Sequence, residues 1–501
     1  RSSPVAAAPT APTPAVTQAE EIEADTIVVA SPIYNIAIST RGAAVVGAEL
    51  LRFQSFTRDG AVQLADPQFA ALLAYGLRVD GRTIDLASLP FRADASDTVR
   101  LAEGDEPRTI WFVHEDSRGF AVRLGYTFSP DDYLIGVQGQ VTGLGGTPLL
   151  TLDLPMTLAT NEANPAEDYR SLAYGVRGTR DGIESVRLDD VKAERVEEGP
   201  LQWVALRNKY FLLAAVRASG EGASDFGGLI ARPVEQEHAA DLTATLPIGR
   251  DGDFAFRLYI GPQEYQRLAL IGYDLEDVNP YGWRILRPII RPLAHLATWA
   301  LVGMHRTLNI DYGWVLILFG VLVRIVLWPL NARAGRAQMK NMALQPRMQE
   351  IQQKYANNPE KLRDEMLKLY REEGFNPFGG CLPLLIPFPV LITLFFVFQN
   401  TIEFRGVEFL WLPDLSRPDP LYVLPLLLGA SMFVMQRITM KVAPQNPQQK
   451  MLTYFMPAFM VLIFFQLASG LNLYYAAQNL ASIPQQIQLA KERERFQKKR
   501  G

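Results

Sequence analysis

One arginine of this 501-residue chain stands inside a strongly apolar run. Arg324 lies near the middle of GVLVRIVLWPL, residues 320–330. A permanent charge in such surroundings is costly unless water, a carbonyl or an anion meets it. The five longest apolar segments contain no Asp or Glu, so they offer no fixed carboxylate. A lone guanidinium of this kind favours transient anion binding; the alternative is that its side chain reaches a polar boundary at Trp328, about 6 Å along a helix.

A polar stripe on the last apolar segment is the second pattern that indicates chemistry. Five polar residues recur at spacings of 3, 4, 3 and 4 and therefore share one helical face: Asn472, Tyr475, Asn479, Ser482 and Gln486. Against an internal cavity, this stripe would be hydrated. Against neighbouring helices, the same side chains would join them by hydrogen bonds. The lone arginine favours the hydrated cavity, although the stripe alone fits either arrangement equally well.

Membrane helices are the elements that would position these side chains. Five segments are apolar enough to be predicted as spans, although several are somewhat short for a hydrocarbon core of about 30 Å: residues 313–330, 377–398, 420–435, 451–467 and 470–489. The second contains four prolines, at positions 377, 383, 387 and 389, which predict an irregular helix with partly free carbonyls.

Basic residues between these segments predict the orientation of the chain. Residues 331–376 contain nine Lys or Arg, residues 437–450 contain three and the tail 491–501 contains six. Because basic loops stay in the cytoplasm, these three regions are predicted to be cytoplasmic. The first half of the chain then lies outside the cytoplasm, and the C-terminus inside.

The two halves of the chain differ in charge and pattern. Residues 1–280 contain 40 acidic and 24 basic residues, whereas residues 281–501 contain 13 and 25. Short alternating apolar segments and Asp-Gly turns predict a β-sandwich over residues 32–278. Its most apolar segment, WVALRNKYFLLAAV at 203–216, is interpreted as a pair of core strands, with a peptide-holding surface as the alternative.

Segments outside these two units complete the predicted organisation. Residues 1–31 include a Pro/Ala-rich stretch typical of a flexible linker, and the opening at Arg1 suggests that an upstream segment has been removed. Residues 279–307 predict an amphipathic helix at the outer membrane interface, with Arg284, Arg287 and Arg291 on one face towards lipid head groups. A buried linker helix is the alternative. Residues 308–490 are the predicted membrane core.

A helical hairpin is predicted for the cytoplasmic insertion, residues 331–376. Leu344, Met348, Ile351 and Tyr355 are spaced 4, 3 and 4, and an Asn-Asn-Pro break at 357–359 precedes a second apolar seam. Its charges form either a solvated surface or a contact with a ribosome or targeting factor.

Motifs for catalysis and metal binding are missing from the sequence. It has no nucleophile elbow, no HExxH, no phosphate-binding glycine loop, a single cysteine, Cys381, and no His/Cys metal spacing around His114 or His238. We therefore expect no catalytic residue, no cofactor, no metal and no sequence-specific nucleic acid as a partner.

Three motifs in order resemble one known family. GVLVRIVLWPL, then NPFGGCLPLLIPFPV at 376–390, then SGLNLYYAAQNL at 469–480 closely resemble the YidC membrane protein insertases of Gram-negative bacteria, within the YidC/Oxa/Alb family. WVALRNKYF extends the resemblance, more weakly, into the β domain. Any one motif alone would be weak, but together they are specific.

This resemblance implies a multidomain membrane protein of the bacterial inner membrane. A periplasmic β-supersandwich would precede a five-span helical core, whose hydrophilic groove opens to cytoplasm and lipid but is closed outward. Arg324 matches the family's groove arginine, and Tyr475 best matches its groove tyrosine. Substrate-contacting positions fall near Pro383, Phe388 and Pro389 in the second span and near Ile463 in the fourth.

Two departures from the family are visible. Gly320, one turn before Arg324, stands where some members have a hydroxyl residue, so that polar contact is not expected here. Members of this type also begin with an additional membrane helix, which this sequence does not contain.

The function expected from the residues and the resemblance together is membrane protein insertion and chaperoning. Arg324 would draw the short acidic extracytoplasmic segment of a nascent membrane protein into a wet groove, and the client's apolar helix would then pass into the phospholipid bilayer. The resemblance implies that the protein inserts its clients either alone or together with the Sec translocon. The implied partners are the ribosome, SecYEG and SecDF. The alternative is a transporter with Arg324 as its anion site, although neither an internal repeat nor paired interrupted helices are visible.

Overall fold

A computed structural model of the chain describes residues 25–68, 71–180, 182–220, 223–279, 282, 285–372, 387–440 and 447–498. Within these residues the first half is almost entirely strands and the second half almost entirely helices. The division follows the sequence pattern, because alternation at a period of two ends near residue 262 and long apolar runs begin after residue 287.

Strands make up most of residues 26–262. In the described part they are β1 Thr26–Ala30, β2 Tyr34–Ser39, β3 Val45–Gln54, β4 Ala61–Gln63, β5 Ala74–Val79, β6 Arg82–Asp85, β7 Arg92–Ala93, β8 Thr98–Arg100, β9 Arg108–Glu115, β10 Ala121–Phe128, β11 Leu134–Thr142, β12 Leu149–Leu154, β13 Ala173–Gly178, β14 Gly182–Arg187, β15 Arg195–Arg207, β16 Phe211–Arg217, β17 Phe226–Pro233, β18 Ala240–Pro247 and β19 Asp253–Pro262. Two short helices interrupt or follow them, α1 Pro165–Ser171 and α2 Tyr265–Ile271.

These strands form two sheets over a shared core. The larger sheet has 14 strands, in the order β6-β5-β12-β18-β17-β15-β16-β19-β11-β10-β9-β7, with β13 and β14 branching from β15. The smaller sheet has five strands, in the order β4-β3-β2-β1-β8. One cluster of buried side chains joins both, from Ile27 on β1 to Trp203 on β15. The predicted β-sandwich is therefore confirmed.

The apolar segment WVALRNKYFLLAAV is a core strand pair, as predicted. Strands β15 and β16 pair antiparallel, with Trp203 opposite Val216. Trp203 and Phe211 are both fully buried. The alternative of an exposed peptide-holding surface is excluded, because burial of these rings is what holds the middle of the larger sheet together.

The first strand shortens the predicted linker. Residues 26–30 form β1, which pairs antiparallel with β2 and parallel with β8. The prediction of a flexible linker over residues 1–31 is therefore wrong for its last residues. Ile27 and Val29 point into the core, and their burial outweighs the polar composition of the segment before them. Residues 1–24 lie outside the described residues.

Eight helices form the described second half of the chain. They are α3 Arg287–Leu308, α4 Tyr312–Val326, α5 Trp328–Lys354, α6 Pro359–Glu372, α7 Pro387–Asn400, α8 Val423–Met440, α9 Pro447–Phe464 and α10 Ser469–Lys498. Among the described residues, no helix combines the length and the apolarity that a bilayer crossing requires. The five spans remain a prediction, and residues 377–386 of the second span lie outside the described residues.

Helix α3 differs from the predicted interfacial helix. It begins at Arg287, and the Arg291 guanidinium pairs with Asp274 at 3.1 Å and also with Asp277, both in the β domain. The predicted contact of Arg291 with lipid head groups is therefore wrong. The physical reason is that the Asp277 carboxylate is buried, so leaving it without a cation would cost more free energy than leaving a solvated lipid head group without one. Arg284 lies outside the described residues.

Two helices flank the Asn-Asn-Pro break of the predicted hairpin. α5 ends at Lys354 and α6 begins at Pro359, where proline suits the first turn because its missing N–H needs no partner. Their placement in the cytoplasm remains a prediction.

Candidate functional site

Arg324 lies in the last turn of α4, at its contact with α10. One side of α4 is buried, including Leu316 and Phe319, while Leu322 and Ile325 are exposed. Arg324 falls between these faces and is half-buried. Its Nη2 donates a hydrogen bond of 2.6 Å to Oε1 of Gln485 on α10.

Gln485 is held in one orientation by a second hydrogen bond. Its Nε2 donates to the backbone carbonyl of Trp328, the first residue of α5, at 3.0 Å. A carboxamide has one oxygen that accepts and one nitrogen that donates, so the bond to Trp328 leaves the oxygen for Arg324. The three residues thus tie α4, α5 and α10 together at one point.

The guanidinium of Arg324 keeps most of its donors unpaired within the described residues. Its Nε is buried without a hydrogen-bond acceptor, and no carboxylate of those residues lies within 4 Å of the group. Arginine carries five N–H donors, and the one described bond goes to a neutral amide. The site therefore retains both net positive charge and bonding capacity for an anion or water.

Helices α4 and α10 approach closely at Gly320. A Cβ placed on Gly320 would lie 3.0 Å from the carbonyl oxygen of Tyr474 and 3.4 Å from Cβ of Ala477. Small residues on facing helices permit such an approach. Gly320 thus acts through packing, and the missing hydroxyl noted in the sequence leaves room for α10.

The polar stripe of α10 points mainly towards α8 and α9. Asn479 Nδ2 donates to Ser431 on α8 at 3.4 Å, and the Ser482 hydroxyl contacts the Met435 sulfur at 2.8 Å. Asn472 is fully buried, and its Nδ2 donates to the carbonyl of Phe464 at 3.0 Å, at the end of α9.

The remaining members of the stripe also lie away from the arginine bond. Tyr475 packs edge-on against Phe464, with ring centroids 5.5 Å apart, and Gln486 is half-buried. The described hydrogen bond of Arg324 goes to Gln485, which is about 100° around the helix from Gln486. For Asn472, Asn479 and Ser482, the contacts match the alternative of polar side chains that join helices.

Aromatic rings fill the end of the helical core that faces the β domain. Tyr474 is fully buried between Phe319 of α4, at 5.9 Å between centroids, and Phe398 of α7, at 5.6 Å. Phe398 stacks in turn on Phe404, and Phe404 meets the ring of Tyr312 at 5.5 Å. The Arg324 site is therefore separated from the β domain by a packed aromatic layer.

The predicted substrate-contacting residues are only partly described. Pro383 lies outside the described residues. Phe388 and Pro389 lie in the first turn of α7, and their side chains are not among those that the structure describes. Ile463 is exposed near the end of α9. Its neighbours Phe459 and Leu462 are exposed too, so the site belongs to an apolar face of that helix. The described contacts do not join Ile463 to Arg324.

Gln485 was missed in the sequence, although one signal points to it. Ala477 lies close to Gly320 where α10 packs on α4, and residue 485, eight positions later, is about 80° around the helix from Ala477, whereas the stripe lies at about 140–180°. If the small residues of the two helices are first paired, and the polar residues nearest to that face of α10 are then sought, Gln485 is predicted as the partner of Arg324 instead of a residue of the stripe.

A second buried arginine lies where the helices meet the β domain. Arg405, in the loop between α7 and α8, pairs through Nε with Oε1 of Glu162 at 2.8 Å, and the two side chains are only 2% and 9% exposed. Its guanidinium also lies over the ring of Phe56, 4.5 Å from the centroid. Burial raises the pKa of the Glu162 carboxyl to about 7, while the adjacent Arg405 charge opposes that rise.

Comparison with known proteins places both halves of the chain in one family. The family description "YidC periplasmic domain" matches residues 26–296, and "60Kd inner membrane protein" matches residues 303–498. "Membrane protein insertase YidC" of Chlorobaculum tepidum is 31% identical over 92% of this chain and 81% of its own. The protein of the same name from Oleidesulfovibrio alaskensis is 30% identical over 96% of this chain and 88% of its own.

A solved structure of a YidC insertase also aligns along most of the chain. The crystal structure described as an active YidC insertase with its first transmembrane domain resolved covers 93% of this chain and 91% of its own, with 19% identity and a TM-score of 0.36. That similarity is too low for residue-level comparison. The family matches to both halves and the relatives of about 30% identity over nearly the full length are sufficient: the chain belongs to the YidC family.

Proposed function

We propose that this protein inserts other membrane proteins into a bilayer and that Arg324 receives the acidic segments of its clients. The observation that carries the proposal is the half-buried guanidinium of Arg324. Its described hydrogen-bond partner is a neutral amide, and no carboxylate of the described residues lies within 4 Å of it. Its relatives are named membrane protein insertases.

The energy of the proposed contact suits transient binding. At an effective dielectric constant of about 20, a carboxylate 4 Å from the guanidinium gains roughly 4 kcal/mol before its desolvation cost. A carboxylate of the protein itself next to Arg324 would neutralise the guanidinium and compete with the client's acidic segment. No such carboxylate lies within 4 Å among the described residues. The net gain favours entry of an acidic segment and still permits its release.

Exposed apolar helix faces support a bilayer around this core. Leu322 and Ile325 on α4, Leu426 on α8 and Leu462 on α9 are all strongly exposed. Surfaces of this kind need a lipid or protein cover. In the proposed arrangement the β domain is periplasmic, the α5–α6 hairpin and the C-terminus are cytoplasmic, and the membrane is the bacterial inner membrane.

Client passage is proposed along the faces near α7 and α9. The client's apolar helix would leave beside Pro383, Phe388, Pro389 and Ile463, while water and the client's polar segment would occupy the groove near Arg324 and Gln486. Asn472, Tyr475, Asn479 and Ser482 would support the groove by fixing α8 and α9 against α10. The ribosome and the Sec translocon, SecYEG with SecDF, are the proposed partners for delivery.

Replacing the arginine tests the proposal. In a reconstituted insertion assay, Arg324→Lys should retain more activity than Arg324→Ala on a client with a short acidic tail, and the deficit of Arg324→Ala should grow as acidic residues are added to that tail. Arg333→Ala is the matched control, since Arg333 is an exposed arginine on α5. Equal activity of all variants on all tails would contradict the role of Arg324, and a loss independent of tail charge would indicate a structural role instead.

A further inference from the structure

A large cleft separates the β domain from the outer ends of the helices. It has a volume of about 870 Å³, within the range of small-molecule sites. Its walls come from both halves of the chain. Arg170 on α1 and Lys209 line one side, while Asn400 at the end of α7, Arg417 in the following loop and Phe465 after α9 line the other.

Two arginines of the cleft have no carboxylate partner among the described residues: Arg170, whose Nε donates to the Ala166 carbonyl at 2.9 Å, and Arg417, whose guanidinium lies 5.4 Å from the centroid of Phe56. Lys209 pairs with Glu167 at 2.8 Å. Asp419 accepts hydrogen bonds from the backbone N–H groups of Leu421 and Leu424, so its carboxylate is committed to the start of α8. Arg170 and Arg417 are exposed, and no carboxylate of the described residues lies within 4 Å of either guanidinium.

An exposed apolar surface begins where the cleft ends. Tyr422, which lines the cleft, packs edge-on against Phe465 with centroids 5.0 Å apart. Directly beside them, Leu421, Leu426 and Leu462 are about 60% exposed at the adjoining ends of α8 and α9. Cationic groups, then amphipathic rings, then aliphatic side chains follow one another away from the β domain.

We propose that this cleft binds the head group of an anionic glycerophospholipid, whose acyl chains lie along α8 and α9. Arg170 and Arg417 would hold the phosphate, because a guanidinium fork matches phosphate oxygens. Tyr422 and Phe465 stand at the level where aromatic side chains prefer to lie in a bilayer. The inference rests on the membrane placement proposed above, and it is independent of the role of Arg324.

The bound lipid would bridge the two halves of the molecule. Arg170 belongs to α1 of the β domain, whereas Arg417 belongs to the loop before α8. A ligand that contacts both stabilises the docked arrangement by its binding free energy. Anionic lipid should therefore raise the melting temperature of the β domain in the full chain.

An acidic client segment is the competing occupant, and the geometry favours the lipid. The packed rings of Phe319, Phe398 and Tyr474 lie between the Arg324 site and the β-domain end of the helices. The apolar surface next to the cleft continues along α8 and α9 away from the β domain, as acyl chains require.

Lipid retention measured on the full chain tests the proposal. The protein is purified in detergent, depleted of lipid and titrated with phosphatidylglycerol or phosphatidylcholine, and bound lipid is counted by native mass spectrometry. Arg170→Gln/Arg417→Gln should bind phosphatidylglycerol about tenfold more weakly than wild type, the equivalent of about 1.4 kcal/mol. The control is Arg82→Gln/Arg108→Gln, which removes the same charge from exposed strand positions outside the cleft.

Several outcomes would overturn the lipid site. Equal phosphatidylglycerol binding by the double variant and the wild type would exclude these arginines. Displacement of the lipid by inorganic phosphate would indicate a free-anion site, and displacement by a short polyglutamate peptide would indicate a client segment. Arg170→Gln alone, at an exposed position, repeats the test if the double variant melts early. Arg324→Ala should bind lipid normally, so insertion can fail without this inference failing.

Discussion

Arg324 and Arg405 are two arginines in the helical half of the chain, the first half-buried and the second almost fully buried, and their surroundings are opposite. Arg405 meets the buried carboxylate of Glu162, the backbone carbonyl of Asn161 and the face of Phe56. Arg324 meets one neutral amide, and its buried Nε has no described partner. The same side chain is thus neutralised at one end of the helical core and left charged at the other.

This difference separates a structural cation from a recruiting one. A buried charge with a complete set of partners holds two elements in a fixed position but has no capacity left for a ligand. A cation with an incomplete set keeps its field available. The following experiments convert one environment into the other and thereby test the distinction.

Removing the structural arginine should have the largest effect on stability. Arg405→Met strands the Glu162 carboxylate at pH 8 and should lower the free energy of unfolding by about 3–5 kcal/mol. Arg324→Met should lower it by only about 1 kcal/mol, because one hydrogen bond to an amide is lost. Chemical denaturation of the full chain in detergent, followed by tryptophan fluorescence, measures both. Equal losses for the two variants would contradict the comparison, and Arg405→Met/Glu162→Met should recover part of the stability.

The Glu162 carboxyl should give the structural pair a pH dependence. Its pKa is raised to about 7, so the folded state favours the protonated form. Its stabilising contribution is therefore full below about pH 4.5 and is lost as the pH rises through about 7, by at most about 3 kcal/mol. The unfolding free energy of wild type relative to Glu162→Gln should fall over this window. A rise over the same window would mean that attraction to Arg405 outweighs burial.

Supplying a carboxylate to the recruiting arginine should impair insertion. Gln485→Glu places an acid at the position that now contacts Arg324 at 2.6 Å, which reproduces the arrangement around Arg405. Insertion of an acidic-tailed client should slow about tenfold, equivalent to about 1.4 kcal/mol of lost attraction. Gln488→Glu is the matched control, since it adds the same charge at an exposed position of α10 outside the proposed groove. Unchanged rates in Gln485→Glu would refute the recruiting role.

The smallest effect is expected from the polar stripe. Asn479→Ala removes one hydrogen bond to Ser431 and should cost about 0.6 kcal/mol of stability, with little effect on the tail-charge dependence of insertion. Ser431→Ala should cost a similar amount, and the double variant should cost less than the sum. A strong and tail-dependent insertion defect in Asn479→Ala would return this residue to the groove.

Much of the fold and part of the site could be predicted because they follow from local pattern. The β-sandwich and the core strands β15 and β16 follow from short-range alternation and apolar composition, which act within a few residues. The start of α3 and the pairing of Arg291 could not be predicted in this way, because Asp274 and Asp277 become neighbours of that helix only in the folded chain.

The amino-acid sequence by itself determined that a cation stands in an apolar segment and that the apolar segments carry no acid to neutralise it. Both follow directly from which residue types stand in those segments. Tertiary structure decided which side chain meets each arginine. Close packing of Gly320 on Ala477 turns Gln485 towards Arg324 and directs the stripe elsewhere, since one residue along a helix is a rotation of about 100°. Docking of the two halves brings Arg405 to Glu162 across 243 positions of sequence, a distance over which local pattern carries no information.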